Sequence, residues 1–404
     1  MENNIKPEFH VLTMSTYGTG ISGGDRIWIE LSRRISAKYD VYVYLWEEGK
    51  TIAEREGLKK VYYILWSAKK WDRFGFFINY FARVCISIFH AFKLNLTNNP
   101  RTVVYSASEF WQDAFPAVIL KLRYPSLTWV ASWYQTAPHP FKGFREEGTF
   151  TIVPDFRAFL YWLVQLPIKP LIKKYADFVF VTSEPDKKHF PKQNSGSRVV
   201  VIKGGVDIEK ANFYRKRFRK LPKIFAGVFQ GRFHPQKGVL QLVDIWKMVV
   251  AKKPDAKLAL IGSGPLWESV RLKVKNEKLE DNIKFFGWVF DGPKKYRIFS
   301  QSKIVVHPAL YDSGGMAAAE AMAWGLPGVA FDLQALETYY PYGMIKVEIG
   351  DLRSFANVII KLLDYADLYR KTSHDALKLI RNYWSWDSLV NRVLIQLSQN
   401  FYND

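Results

Sequence analysis

Short apolar runs alternate with amphipathic stretches of helix length twice along this chain, and that rhythm leaves few folds open. In the first series, residues 10–14, 41–45, 103–105, 128–131, 178–182 and 199–202 read as strands and 25–35 as a helix. In the second, 225–230, 258–261, 283–286, 304–307 and 328–331 read as strands. There 239–251, 267–275, 315–324 and the tail from Trp386 read as helices. Strands separated by helices pair in parallel, and parallel sheets need helices on both faces. A length of 404 residues suits two such domains, each with its own core. The expectation is α/β, two doubly wound domains with a cleft between them and ligands at the carboxyl ends of the strands.

The boundaries follow from composition. Residues 206–223 carry seven basic and two acidic residues with no clear period, and 206–222 reads as a basic interdomain linker. That gives a first domain over 1–205 and a second over 223–383. A single cysteine, Cys85, excludes an intrachain disulfide and a cysteine-based zinc site, and suits a reducing compartment. The first residues lack a basic segment followed by an apolar run, so a cytoplasmic protein is expected. The most membrane-like stretch, 74–92, is interrupted by Arg83, which argues against a spanning helix. The net charge of +20 favours anionic partners: nucleic acid, an acidic membrane surface or phosphorylated substrates.

Three segments of the second half suit phosphate chemistry. Arg232 and Lys237 lie on the loop Gly231-Arg232-Phe233-His234-Pro235-Gln236-Lys237-Gly238 between strand and helix, where two cations would converge on a diphosphate. An ordinary solvated loop reads equally well. Gly262-Ser263-Gly264-Pro265 follows the next strand and reads first as a tight turn. The third segment runs from Tyr311 to Ala323. Gly314, Gly315 and Met316 open a helix whose free backbone N–H groups suit a phosphate. Asp312 and Glu320, poor phosphate ligands, suit sugar hydroxyls; the plainer readings are a helix cap for Asp312 and a surface position for Glu320.

In this order the segments resemble the retaining GT-B glycosyltransferases of family 4, the glycosyl transferases group 1. The resemblance is strongest over 204–332. It rests on Gly204-Gly205-Val206-Asp207, Gly231-Arg232 with Lys237-Gly238, and Gly262-Ser263-Gly264-Pro265. It continues through Phe286-Gly287-Trp288-Val289, Glu320-Ala321-Met322-Ala323 with Gly325 and Pro327, and Trp384-Ser385-Trp386. The resemblance implies two Rossmann-like domains facing a central cleft, with residues 384–404 forming a helix that crosses back to the first domain. It implies transfer of a hexose from a UDP- or GDP-linked sugar to a hydroxyl acceptor such as a lipid-linked glycan or glycolipid. No metal and no cofactor are implied beyond the nucleotide sugar as co-substrate.

The resemblance also implies roles. Asp312 acts at the donor sugar; Arg232, Lys237, Gly314, Gly315 and Met316 hold the diphosphate; Glu320 holds the ribose; Gly287, Trp288 and Val289 hold the base. Gly23 and Gly24, in Ser22-Gly23-Gly24-Asp25-Arg26, match a glycine loop near donor and acceptor and also read as a helix entry. The sequence departs from the family in three places. Asp312-x7-Glu320 replaces Glu-x7-Glu. Gly314 replaces a common aromatic, which would enlarge the pocket near the sugar. Trp133 stands where a histidine is usual, with His139 six residues on, both on the expected acceptor side.

Two basic aromatic stretches, 69–81 and 156–174, suit an anionic membrane interface, so a peripheral position at the inner membrane face is one reading; core helices under the sheet are the other. The 215–220 basic cluster is exposed in either. A nucleic-acid-binding protein, an epimerase of the same fold and an inactive sugar-binding relative are the alternatives. No nucleic-acid module is recognisable, and the cation pair with the two carboxylates fits a transferase better than an epimerase.

Overall fold

A computed structural model describes residues 6–18, 20–141, 156–191 and 198–401. It divides into two compact units: among the described residues, one takes 6–140, 156–204 and 386–401, the other 141 and 205–385.

The first unit is a seven-stranded parallel sheet. Its strands are β1 Glu8–Leu12, β2 Asp40–Leu45, β3 Tyr62–Leu65, β4 Val103–Ser106, β5 Thr128–Trp133, β6 Phe178–Val181 and β7 Arg198–Val201. Their order is β3-β2-β1-β4-β5-β6-β7. Its helices are α1 Gly23–Ile35, α2 Glu47–Arg55, α3 Gly75–Lys93, α4 Trp111–Arg123 and α5 Phe156–Tyr175. The sequence reversal between β1 and β4 is the switch point of a doubly wound sheet. Central strands β4, β5 and β6 are buried along their whole length, which is why they read as unbroken apolar runs.

The second unit repeats the plan with six parallel strands. They are β8 Phe225–Gln230, β9 Leu258–Ile261, β10 Ile283–Gly287, β11 Ser302–His307, β12 Gly328–Phe331 and β13 Met344–Val347. The order is β10-β9-β8-β11-β12-β13, so the switch point lies between β8 and β11. Helices α6 Ile208–Arg217, α7 Val239–Lys252, α8 Trp267–Asn276 and α9 Pro293–Ser300 come first. They are followed by α10 Met316–Met322, α11 Gln334–Tyr339, α12 Leu352–Asp364 and α13 Ala366–Tyr383. The last helix, α14 Trp386–Phe401, groups with the first unit and packs on α1.

Three expectations change here. The stretch expected to be a linker contains α6, capped by the Asp207 carboxylate accepting the Lys210 N–H at 2.9 Å, and it groups with the second unit. Its few apolar residues, such as the buried Ala211, hid the helical period among the cations. Helix α10 is shorter than expected: Gly315 caps it at φ +62°, and it ends at Met322. The aromatic helices are neither fully core nor fully exposed. α3 buries Val84, Ser87 and Ala91 but exposes Phe77, Phe81, Phe89 and Phe92.

Candidate functional site

At the second unit's switch point, the loops that leave β8 and β11 meet. Lys237 Nζ lies 2.5 Å from Asp312 Oδ2, and His307 Nε2, at the end of β11, lies 3.0 Å from the same oxygen. Asp312 Oδ1 accepts backbone N–H groups from Ser313 at 2.8 Å and from Gly314 and Gly315 at 3.3 Å. The side chain is 7% exposed. Burial alone would raise its pKa; the Lys237 charge, followed by His307, more than reverses that and holds the carboxyl well below the usual range. Asp312 is therefore both a loop cap and an ion-pair partner. Arg232, on the same β8 loop, is exposed and has no ion-pair partner among the described residues.

Glycines allow these loops to touch. A Cβ on Gly238 (φ +61°) would stand 1.8 Å from the Pro308 carbonyl oxygen, so only glycine lets the β8 loop pass the β11 loop there. Gln236 O accepts the Leu310 N–H at 2.8 Å beside that crossing. Gly262 similarly lies against the Gly231 carbonyl, and its N–H donates to Gly287 O at 2.8 Å, so the 262–265 segment is a packed turn. Gly314 does not enlarge the pocket. A Cβ there would stand 2.7 Å from Tyr339 Cζ, because the Tyr339 ring, itself buried, already fills the space an aromatic at 314 would take.

A second polar group lies close by. Glu320 Oε2 accepts from Lys295 Nζ at 2.5 Å and from Gln230 Nε2 at 2.8 Å, and Lys295 also reaches Asp291 Oδ1 at 2.7 Å. Lys295 is 2% exposed and Glu320 11% at the side chain, so the plainer reading of Glu320 as a surface residue fails and the pair forms a buried tether. Through Lys295 on α9, the tether joins α10 to Asp291 on the loop after β10; that strand ends at Gly287, and Trp288 and Val289 follow it. Trp288 is exposed there, edge-on to Phe290 at 6.3 Å. Gln230, Asp291, Lys295 and His307 were not singled out from sequence. The only signal for Lys295 was its i,i+4 spacing from Asp291.

In the first unit, Gly23 and Gly24 open α1. Ser22 caps it in a box with Asp25, and Asp25 also accepts from Thr16 Oγ1 at 2.6 Å. Trp133 is 1% exposed, packs edge-on against Phe190 and donates to Thr136 Oγ1 at 2.9 Å, an indole buried in the core at the end of β5 rather than open to an acceptor. His139 is exposed on the loop after β5. Sequence reading missed the buried carboxyls at this unit's switch point. Asp113 accepts from the Ser15 N–H at 2.9 Å and from Ser15 and Ser108 hydroxyls at 2.5 Å, and Glu109 accepts from Tyr161 and Gln165. Burial pushes Glu109 up and Asp113 up to about 7, although the serines pull Asp113 the other way.

Residues 225–365 match the family model described as Glycosyl transferases group 1. Poly(glycerol-phosphate) alpha-glucosyltransferase of Bacillus subtilis is 24% identical over 163 residues, which is 39% of this chain and 24% of that protein. A phosphatidyl-myo-inositol mannosyltransferase of Mycobacterium leprae is 27% identical over 203 residues, 49% of this chain and 53% of that protein. The chain thus spans from about a quarter to about half of the curated relatives it matches. Among solved structures, Anabaena HepE in complex with UDP-glucose superposes with a TM-score of 0.70 at 14% identity, covering 97% of this chain and 100% of that one. Sucrose-phosphate synthase from Thermosynechococcus elongatus gives 0.70 at 17%, covering 99% and 100%. At such identities the structural likeness is one of fold. The matched segment makes most of the second unit similar to the glycosyl transferases group 1 family, and the shared architecture is the GT-B fold.

Proposed function

We propose that the protein is a retaining hexosyltransferase that takes its sugar from a nucleoside diphosphate and passes it to a hydroxyl acceptor, without a metal ion. The observation that carries this reading is the switch point itself: one lysine, one carboxylate and an exposed arginine on loops leaving adjacent parallel strands. Arg232 and Lys237 would hold the diphosphate, with Gly314, Gly315 and Met316 lining its other side. Glu320, tethered by Lys295, would border the ribose, and Gly287–Val289 the base.

Asp312 stays a carboxylate at any working pH, so it accepts hydrogen bonds and moves no proton. Its oxygens are already engaged by Lys237, His307 and three backbone N–H groups. Lys237 would therefore turn to the incoming diphosphate and release Oδ2 to a sugar hydroxyl. In the transfer, the anomeric C–O bond to phosphate breaks and the bond to the acceptor oxygen forms. The acceptor's proton leaves with the diphosphate, whose charge Arg232 and Lys237 offset. The relatives' names, a poly(glycerol-phosphate) glucosyltransferase and a phosphatidyl-myo-inositol mannosyltransferase, support a hydroxyl-rich acceptor, a glycolipid among the candidates.

Thermal stability against UDP, GDP, ADP and their sugar conjugates, with chelator present, tests the donor site. A ligand at 100 times its Kd adds about 2.7 kcal/mol. A selective rise with one diphosphate, lost in Arg232→Ala, is expected. No rise with any of them would remove the donor site.

A further inference from the structure

We infer that the outer face of α3, α4 and α5 in the first unit docks on an anionic lipid bilayer surface, with its aromatic side chains inserted among the lipids. On α3, exposed Ile78, Phe81, Cys85, Phe89 and Phe92 are spaced to lie on one side of the helix, with exposed Phe77 flanking that stripe; exposed Phe76, in the first turn, lies off it. The opposite side, with Val84, Ser87 and Ala91, packs against α4. On α5 the exposed residues are Phe156, Phe159, Leu163 and Leu166, again one stripe. α4 packs with both helices, and Phe81 meets Trp111 on α4 at 5.8 Å, so the stripes adjoin one apolar surface. An exposed apolar area of this extent marks a binding face.

Charge selects the occupant. Residues 69–93, α4 and α5 carry eleven Lys and Arg and two acids, Asp72 and Asp113. Asp113 is buried, and Asp72 is engaged by Asn79 and Arg83. Lys69, Lys70, Arg73 and Lys93 are exposed without ion-pair partners among the described residues. A second copy meeting this face about a two-fold axis would set cations against cations; an anionic lipid surface complements both the charge and the rings.

Orientation follows from Arg83. Residues Lys69–Lys93 are long and apolar enough to cross a membrane. Arg83, however, is 6% exposed at the side chain, with Nη2 2.9 Å from Glu48 and 3.3 Å from Asp72. Spanning would tear this charged knot out of the unit. The helix therefore lies in the plane of the interface, rings down and Arg83 held within the protein. This inference rests on the first unit and is independent of the donor site.

Cys85, exposed and the only cysteine, supplies the probe position. The full chain, labelled there with a polarity-sensitive fluorophore, is mixed with vesicles of phosphatidylcholine alone or with about a third phosphatidylglycerol. Co-sedimentation with the anionic vesicles and a blue-shifted emission are expected, about tenfold weaker on phosphatidylcholine alone. Lys69→Gln/Lys70→Gln/Arg73→Gln should weaken partition by a similar factor. Phe77→Ser/Ile78→Ser/Phe92→Ser should abolish the blue shift while the Tm is kept. No co-sedimentation, equal partition on both vesicles, or binding with an unshifted probe would each overturn the inference. So would a probe shifted without lipid by self-association, which would make the face a dimer contact.

Discussion

Asp312 and Glu320 share a setting: each carboxylate is nearly buried and is reached by a lysine. Their partners differ in exposure, and this sets the predictions. Lys237 is 21% exposed and can turn to another anion; Lys295, at 2%, cannot. Lys237→Ala is expected to weaken diphosphate binding by about 2 kcal/mol, the size of a charge-assisted hydrogen bond. Asp312→Asn should lower transfer far more than donor affinity, because it removes the hydroxyl acceptor and leaves the cations; equal losses in kcat and donor binding would make Asp312 only a loop cap. Lys295→Met strands Glu320 and Asp291 without their cation and should cost about 3–5 kcal/mol in unfolding free energy. A denaturant midpoint unchanged in that variant would mean that solvent reaches the tether. Gly314→Ala should also destabilise, by about 1–3 kcal/mol, since its Cβ meets the buried Tyr339 ring.

Elements were legible in the sequence where burial was complete. β8, β9 and β12 occupy the residues expected because interior parallel strands present unbroken apolar runs. β3 and β13 went unread: both are edge strands, largely half-buried or exposed; Lys346 interrupts β13, whereas the apolar run of β3 was there to be read. α6 was hidden by its own cations, and the two prolines in α5 broke its expected period. The site was legible in part. Lys237 and Asp312 declared themselves through position after a strand, and the structure brings them together. Trp133 misled because a tryptophan at a strand end looks the same in sequence whether it faces core or solvent. Gly314 misled because the filling ring comes from Tyr339 on α11, which no local pattern connects to it. At α1, the glycine pair is inseparable from its cap, so Ser22→Ala should cost about 1 kcal/mol, read as a lowered denaturant midpoint.

Across the whole molecule, the two switch points titrate in opposite senses. In the second unit, the Asp312 pKa is depressed in the fold. Its stabilisation is therefore complete above the unfolded carboxylate value of about 4 and is lost as the pH falls from there through the lower folded value. In the first unit, burial raises Glu109 and Asp113 at the switch point, and also Asp186, which lies beyond β6 and accepts from the Ser183 hydroxyl. An acid whose folded pKa is raised binds its proton more tightly in the native state, so stability is greatest below about pH 4 and falls as pH climbs towards the folded value. For Asp113 that window runs up to about 7, and its cost at neutral pH is about 2–4 kcal/mol. Hydrogen exchange of β1 and β4 amides, corrected for intrinsic rate, should accordingly lose protection between pH 5 and 8, whereas β8 and β11 should not. Asp113→Asn keeps the shape and an acceptor for the Ser15 N–H but cannot ionise, so it should flatten much of that slope while Glu109 and Asp186 retain the remainder. A first unit whose protection is level across this range in the native chain would mean that these carboxyls ionise in place, with solvent reaching the β1–β4 switch point.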